Sequence, residues 1–428
     1  MFQTRRSSIY VVVGLLAFQL IVLLMVVFVT LPLVARWHAF DLSIYYQDSL
    51  QLLRGRMPYR DFALEYPPLA LLPFVLPRLA VFGLRINFIG YVWLFLIQNA
   101  IFSTLIAVAI AQIRGRRAAG SALALYVLLV AVSAPLLPWR YDLFPALLTV
   151  LALLCLLRQR PGWAGIWLGL GVAAKLYPAV LLPIFGAYYL ASKNRLALLR
   201  LALGSVGALA ATLLPFVLIA PGPLLSFLRY HQLRGLQLES LPAGAIVLAH
   251  VLGMTPARIE FNYGALQVVS PLAGAVLSWI LVIFVVLFCA VLANCLARFR
   301  EEQAADGRVT SESLIAYSVA ALLVFIVTNK VFSPQYVIWL LPLAPLLRLR
   351  QASALLAICV LTIVQFPFNY DHLLDMELLP VLLLNLRNLL VVALLLWLLV
   401  ERAPSFWRRA LVWPALAARL AGRRATLK

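Results

Sequence analysis

Residues 11–32 carry no charged side chain, and that run limits the possible folds more than any other stretch. A helix of that length reaches across roughly 30 Å, the hydrocarbon core of a bilayer. Residues 391–400 form a similar charge-free run near the other end. The whole chain of 428 residues is 64% hydrophobic and 12% charged, whereas soluble domains lie near half and a quarter. These features predict an all-α polytopic membrane protein, because lipid offers no partners to an open backbone. The first run follows Arg5 and Arg6 and lacks a small-residue cleavage site, so it reads as an uncleaved span.

Apolar runs place about 12 transmembrane helices, near 9–34, 86–112, 119–137, 142–158, 162–175, 177–192, 196–220, 268–297, 313–328, 335–349, 352–368 and 379–400. The pair between Pro161 and Lys193 is short, which predicts half-depth helices meeting at Lys175–Pro178. Residues 66–83 are apolar but contain Pro67, Pro68, Pro73, Pro77 and Arg78, and read as an interfacial or re-entrant helix. That choice puts Arg114, Arg116 and Arg117 inside, as the positive-inside rule prefers. Both termini then lie inside, most Lys and Arg fall there, and most Asp and Glu fall outside. The net charge of +20 is therefore an orientation and anionic-lipid signal, not a nucleic-acid footprint. The expected organisation is one integral-membrane domain over 1–428. It has a first outer loop with interfacial helices at 35–85 and a basic amphipathic cytoplasmic tail at 403–428. Cys155, Cys289, Cys295 and Cys359 lie in apolar runs at spacings that suit no metal, and read as buried thiols.

The outer side collects the chemistry. Residues 36–68 mix Asp41, Asp48, Asp61 and Glu65 with Arg36, Arg54, Arg56 and Arg60, and interleave Tyr45, Tyr46, Tyr59 and Tyr66. Such a set at a membrane surface suits catalysis on a lipid-borne polar substrate. Asp41 is either a helix cap or a general base that must be ionised and reach one hydroxyl; spacing alone leaves both open. Asp142, after Arg140, reads as a helix-start or salt-bridge residue, or as a sugar ligand. Lys175, Arg234, Lys330 and Arg387 are candidate phosphate-binding cations. Snorkelling to the interface is the alternative for Lys175, and pairing with an acid is the alternative for Arg387, deep in its span. Gln237 and Glu239 suit acceptor hydroxyls, with a loop ion pair to Arg234 as the alternative. Gln335 and Tyr336 either start a helix or touch sugar. Tyr45, Tyr66 and His231 complete the candidate sugar and acceptor set, and a plain polar surface role is the alternative for His231 and for His372. Asp41 and Asp48 are seven apart, not a paired-acid metal spacing, so no metal and no cofactor are expected.

Asp41-Leu-Ser-Ile-Tyr45, Gly55-Arg-Met-Pro58-Tyr59, Tyr66-Pro67-Pro68-Leu69, Lys175-Leu-Tyr-Pro178 and Ser333-Pro334-Gln335-Tyr336 together resemble glycosyltransferase family 87. The resemblance runs in matching order from residue 9 to about 400. It implies a membrane-embedded GT-C fold with its active site on the extracytoplasmic face of a bacterial-type inner membrane. It also implies an aspartate base in the first outer loop, which maps onto Asp41. The family includes polyprenyl-phosphate-mannose-dependent mannosyltransferases. The expected partners are thus a polyprenyl-phosphate sugar donor, a lipid or glycolipid acceptor and membrane lipids. The donor's phosphate leaves without a general acid but needs cations to offset its growing charge. The rival reading is a lipid or glycolipid transporter or flippase. Transporters usually bind substrate near the midplane between related repeats, whereas here the polar clusters gather at one face and no repeat is evident.

Overall fold

A computed structural model describes residues 2–81, 86–219 and 226–405. The tail beyond 405, and with it most of the expected amphipathic segment, lies outside the described residues. The chain is nearly all helical. Helix α1 (Phe2–Leu53) is followed by α2 (Leu71–Leu79), α3 (Phe88–Ser133), α4 (Leu143–Leu157), α5 (Pro161–Ala174), α6 (Leu181–Ala191) and α7 (Arg195–Ile219). Then come α8 (Ser226–Leu233), β1 (Leu236–Gln237), α9 (Leu241–Val251), β2 (Arg258–Asn262) and β3 (Ala265–Val269). The last helices are α10 (Pro271–Asp306), α11 (Ser311–Val327), α12 (Leu349–Ile363), α13 (Tyr370–Leu374) and α14 (Leu378–Glu401).

Among the described residues five helices are long and apolar enough to cross a membrane: Phe88–Gly115, Arg195–Ile219, Pro271–Asp306, Leu349–Phe368 and Leu378–Glu401. Only 6% of the apolar windows of α7 and α10 is buried, and Leu203, Val206, Trp279 and Leu281 on them are more than half exposed. Soluble proteins do not leave apolar faces of that extent in water. The chain is a membrane protein whose outer helices face lipid.

Three local results differ from the sequence expectation. Helix α1 does not stop where the polar loop begins but continues to Leu53. It closes with Gly55 N–H on the Leu52 carbonyl (3.0 Å) and Arg56 N–H on the Gln51 carbonyl (3.1 Å), around Gly55 at φ 76°. This is the Schellman closure that a glycine at C′ favours. Asp41 therefore lies in mid-helix, and the capping reading falls. Next, residues 335–349 form no α-helix. Pro334–Trp339 and Ala344–Leu346 are short 3₁₀ turns and are mostly buried. Pro334, Pro342 and Pro345 each lack the N–H a continuous helix needs, and burial in protein is where irregular backbone is tolerated at membrane depth. Last, β3 pairs antiparallel with both β1 and β2, a small sheet that hydropathy did not suggest.

Of the four thiols expected to be buried, Cys295 and Cys359 are, but Cys155 is half-buried and Cys289 is exposed on α10, whose apolar surface meets lipid. Several local expectations are met. Helix α3 breaks at Gly115 (φ 70°), within the basic turn expected between two spans. Ala174 ends α5, Lys175 is extended, and Tyr177–Val180 forms a 3₁₀ turn into α6, so two short helices meet at Lys175–Pro178. The 66–83 stretch gives a 3₁₀ turn, Pro68–Ala70, and the nine-residue α2; residues 82 and 83 lie outside the described range. Helices α5 and α7 touch backbone to backbone. A Cβ on Gly165 would come 2.1 Å from the Leu201 carbonyl oxygen, and one on Gly169 would come 2.3 Å from that of Ser205. Small residues four apart allow this approach in lipid, and it fixes the helix that delivers Lys175.

Candidate functional site

The site is built around α1, the 134–142 turn, the α5–α6 junction and the buried 330–339 segment. Asp41 forms an ion pair with Arg140, whose side chain is 5% exposed against 23% for the carboxylate. The acid thus has one face held and one open. Arg36, a basic neighbour of Asp41 in sequence, turns away and pairs with Asp371. One turn on from Asp41, Tyr45 is fully buried, stacked on Phe74 (4.4 Å between centroids) and edge-on to Tyr141 (5.7 Å). Tyr66 meets Tyr141 at 5.0 Å. These rings form a rigid wall beside the acids rather than a row of free hydroxyls.

Asp142 is wholly buried. One of its oxygens accepts from Lys175 Nζ and from Trp339 Nε1, both at 2.6 Å. A buried carboxylate needs such partners. The salt-bridge reading of Asp142 holds, with Lys175 as partner. Lys175 does not snorkel: its ammonium lies 4.6 Å from the Tyr141 ring centre and 5.4 Å from that of Trp339. Tyr336 and Tyr177 stack on either side of the same indole, at 3.8 and 4.2 Å.

Glu239 anchors the neighbouring cluster. Its carboxylate accepts from Gln237 Nε2 and, at 3.4 Å, from Tyr370 Oη. Its carbonyl accepts from Arg387 (2.5 Å). Burial pushes the Glu239 carboxyl up to about 7, against the pull of Arg387. Gln237 also accepts from the Phe332 amide (2.9 Å), which ties the β1 segment to residues 330–332. Arg387 is buried, donates to Asn388 Oδ1 (2.8 Å) and lies 4.0 Å over Phe332. The alternative offered for Glu239, a loop ion pair with Arg234, is not formed. Arg140 lies close enough to Asp142 and Glu239 for their carboxylates to act on it, so the two clusters share one field.

The candidate cations therefore differ in availability. Lys175 is neutralised by Asp142, Arg387 is engaged in framing Glu239, and Lys330 Nζ donates to the carbonyls of Gln232 (2.8 Å) and Arg234 (2.6 Å). The Arg234 guanidinium has no hydrogen bond or ion pair among the described residues, and its Nε is buried without a partner. Its charge reaches Glu65, Tyr66, Lys175, His231 and Tyr336. His231 contacts the Glu65 carbonyl at 3.1 Å; burial and then Arg234 bring it down to about 4, so it is neutral at pH 7. Gln335 accepts from Ser333 Oγ (2.9 Å), and His372 pairs with Glu377 on the surface. No group of three His, Cys, Asp or Glu among the described residues could hold a metal.

Sequence reasoning gave no role to Arg140, Trp339, Tyr370 or Asn388. Arg140 had a signal, as a charge between two aromatics beside Asp142. Trp339 had none, because it sits in an apolar run that reads as lipid-facing.

An apolar cavity of 1160 Å³ adjoins the Glu239 cluster, lined by Leu241 and Leu248 of α9, Trp279 and Ile283 of α10, and Asn385 and Leu389 of α14. Leu241 follows Glu239 by two residues and Asn385 precedes Arg387 by two, so polar site and apolar groove are contiguous.

A membrane protein with acids and cations packed beside a lipid-accessible groove is the class that fold and site define. The model of glycosyltransferase family 87 matches residues 64–334, and the chain belongs to that family. It is a membrane glycosyltransferase, which sets the transporter reading aside. Comparison with the curated proteins gives no match. The matched range begins at Leu64, so the reading of Asp41 rests on its own geometry.

Proposed function

We propose that the protein transfers a sugar, mannose as the first candidate, from a polyprenyl-phosphate donor to a hydroxyl of a lipid or glycolipid acceptor. The reaction takes place on the extracytoplasmic face, within a GT-C frame of about twelve spans that forms one domain. The observation that carries this reading is Asp41, a carboxylate held by Arg140 yet 23% exposed, with Lys175 within reach of the same Arg140 charge.

In this scheme Asp41 takes the proton of the acceptor hydroxyl as the oxygen attacks the anomeric carbon. The bond from that carbon to the phosphate oxygen breaks, and the lipid phosphate leaves with the electron pair. Arg234, whose guanidinium has no hydrogen bond or ion pair among the described residues, meets the phosphate, with Lys330, Lys175 and Arg387 contributing field around it. Once Asp41 is protonated its pull on Arg140 weakens, and the Arg140 charge is released toward the departing phosphate. Preorganised charge of this kind is commonly the largest contribution to catalysis. Tyr45, Tyr66, Asp142, Gln237, Glu239, Gln335, Tyr336 and His231 frame the sugar and the acceptor. The apolar groove suits the tail of a lipid-linked substrate. No metal is required, since cationic side chains meet the charge.

The test supplies membranes containing the protein with radiolabelled polyprenyl-phosphate mannose and follows label into extracted lipid. Transfer that depends on the protein supports the reading; label that stays on the donor while another lipid-linked sugar is consumed overturns the choice of mannose.

A further inference from the structure

A second cavity, of 430 Å³, opens further along α1, lined by Ser43, Gln47, Asp48, Glu65, Ser226 and Tyr230 among others. Asp48 lies seven residues beyond Asp41 on one uninterrupted helix, so both are on nearly the same face, roughly 10 Å apart along the axis. Asp48 is 8% exposed, yet no hydrogen bond or ion pair reaches its carboxylate among the described residues. A buried carboxylate left in that state calls for an explanation. Nearby Glu65 adds a second carboxyl, and burial followed by repulsion from Glu65 pushes the Asp48 carboxyl up to about 7. Ile44, Ala63 and Leu64 supply an apolar wall to the same cavity.

We propose that this cavity binds the polyhydroxylated headgroup of the acceptor, with Asp48 and Glu65 accepting from its hydroxyls. The proposal rests on the glycosyltransferase reading above and gives the acceptor its chemical class, a neutral polyol or sugar. Carboxylates call for donors, which leaves hydroxyls or an ammonium. The Arg234 charge already bordering Glu65 disfavours a cation. The serines, the amide of Gln47 and the apolar wall match the alternating hydroxyl and C–H surface of a sugar. The volume falls in the range of small-ligand pockets, and the separation from Asp41 spans about two sugar rings. A headgroup seated at Asp48 would direct a more distal hydroxyl to the base.

The experiment is saturation-transfer NMR on the detergent-solubilised protein with a methyl hexoside, and separately with ethanolamine, and no donor present. The expected result is hexoside binding that weakens about tenfold in Asp48→Asn and in Glu65→Gln, the loss of one charge-assisted hydrogen bond. Binding should survive in Asp41→Asn. In the transfer assay Asp48→Asn should raise the acceptor KM by a similar factor and leave the donor KM unchanged. A purely structural role would move both. Hexoside binding that is absent, equal in all variants, or displaced by ethanolamine overturns the proposal. Because binding is read without donor, hexoside binding without sugar transfer would sink the transferase scheme alone. Transfer without hexoside binding would sink this inference alone.

Discussion

Replacing Asp48 by Asn should stabilise the protein at alkaline pH, and the size of the gain follows from its surroundings. The folded-state carboxyl lies at about 7, against an ordinary aspartate value near 3.9. Between those values the unfolded chain has lost the proton and the folded chain keeps it. The unfolded state binds fewer protons there, so stability falls as pH rises and the cost is complete above about 7. Roughly three units at 1.36 kcal/mol each amount to about 4 kcal/mol. Asn keeps the shape and carries no charge, so Asp48→Asn removes the cost. The assay is thermal unfolding of purified protein in detergent at pH 4 and pH 8, for wild type and variant. Wild type should lose more stability between the two than the variant, and the difference of differences isolates Asp48 from Glu239, which titrates in the same window. The same pH dependence in both proteins would refute the claim that this carboxylate is buried unpaired.

Arg234→Gln should weaken use of the donor at least tenfold with little change in melting temperature, because its guanidinium makes no hydrogen bond or ion pair among the described residues and only a distant contact with the Tyr230 ring (5.8 Å); steady-state kinetics with varied donor checks this. Arg387→Gln should instead lower the melting temperature, since it leaves the buried Glu239 carbonyl only the long contact from Asn388 Nδ2 (3.5 Å). Lys175→Met should cost about 3–5 kcal/mol by leaving Asp142 an underpaired buried charge, read as lost folded yield or lowered melting temperature. For topology, single cysteines in a cysteine-free background at Gln47 and Arg116 should differ. The first should react with an impermeant thiol reagent from outside and the second should not.

Much of the frame was legible because hydropathy reports directly on lipid exposure: α7 and α14 fall within a residue of the expected spans, and α10 starts three residues late and runs nine residues further. The Lys175–Pro178 junction was readable because a proline and a cation interrupt two short apolar runs. The 335–349 segment misled for the opposite reason. Burial in protein and burial in lipid select the same apolar residues, and only Pro342, Pro345 and the preceding Pro334 signalled a broken backbone. At the site, the sequence pointed to Asp41, Asp142 and Lys175 but left the pairing of Asp142 with Lys175 unseen, since those residues are 33 apart. Arg234 and Arg387 looked equivalent as cations in sequence. Their difference is one of partners, which depends on how β1 and α14 pack, and no local pattern encodes that.

The central claim is that Asp41 removes the acceptor's proton. Asp41→Asn keeps size and hydrogen-bonding capacity and removes the basic oxygen. The measurement is the initial rate of sugar transfer per amount of folded protein, with donor binding determined separately. A general base contributes typically about 10²–10⁴-fold, so the account predicts a rate loss of that order with donor binding retained. Turnover within a few-fold of wild type would contradict it.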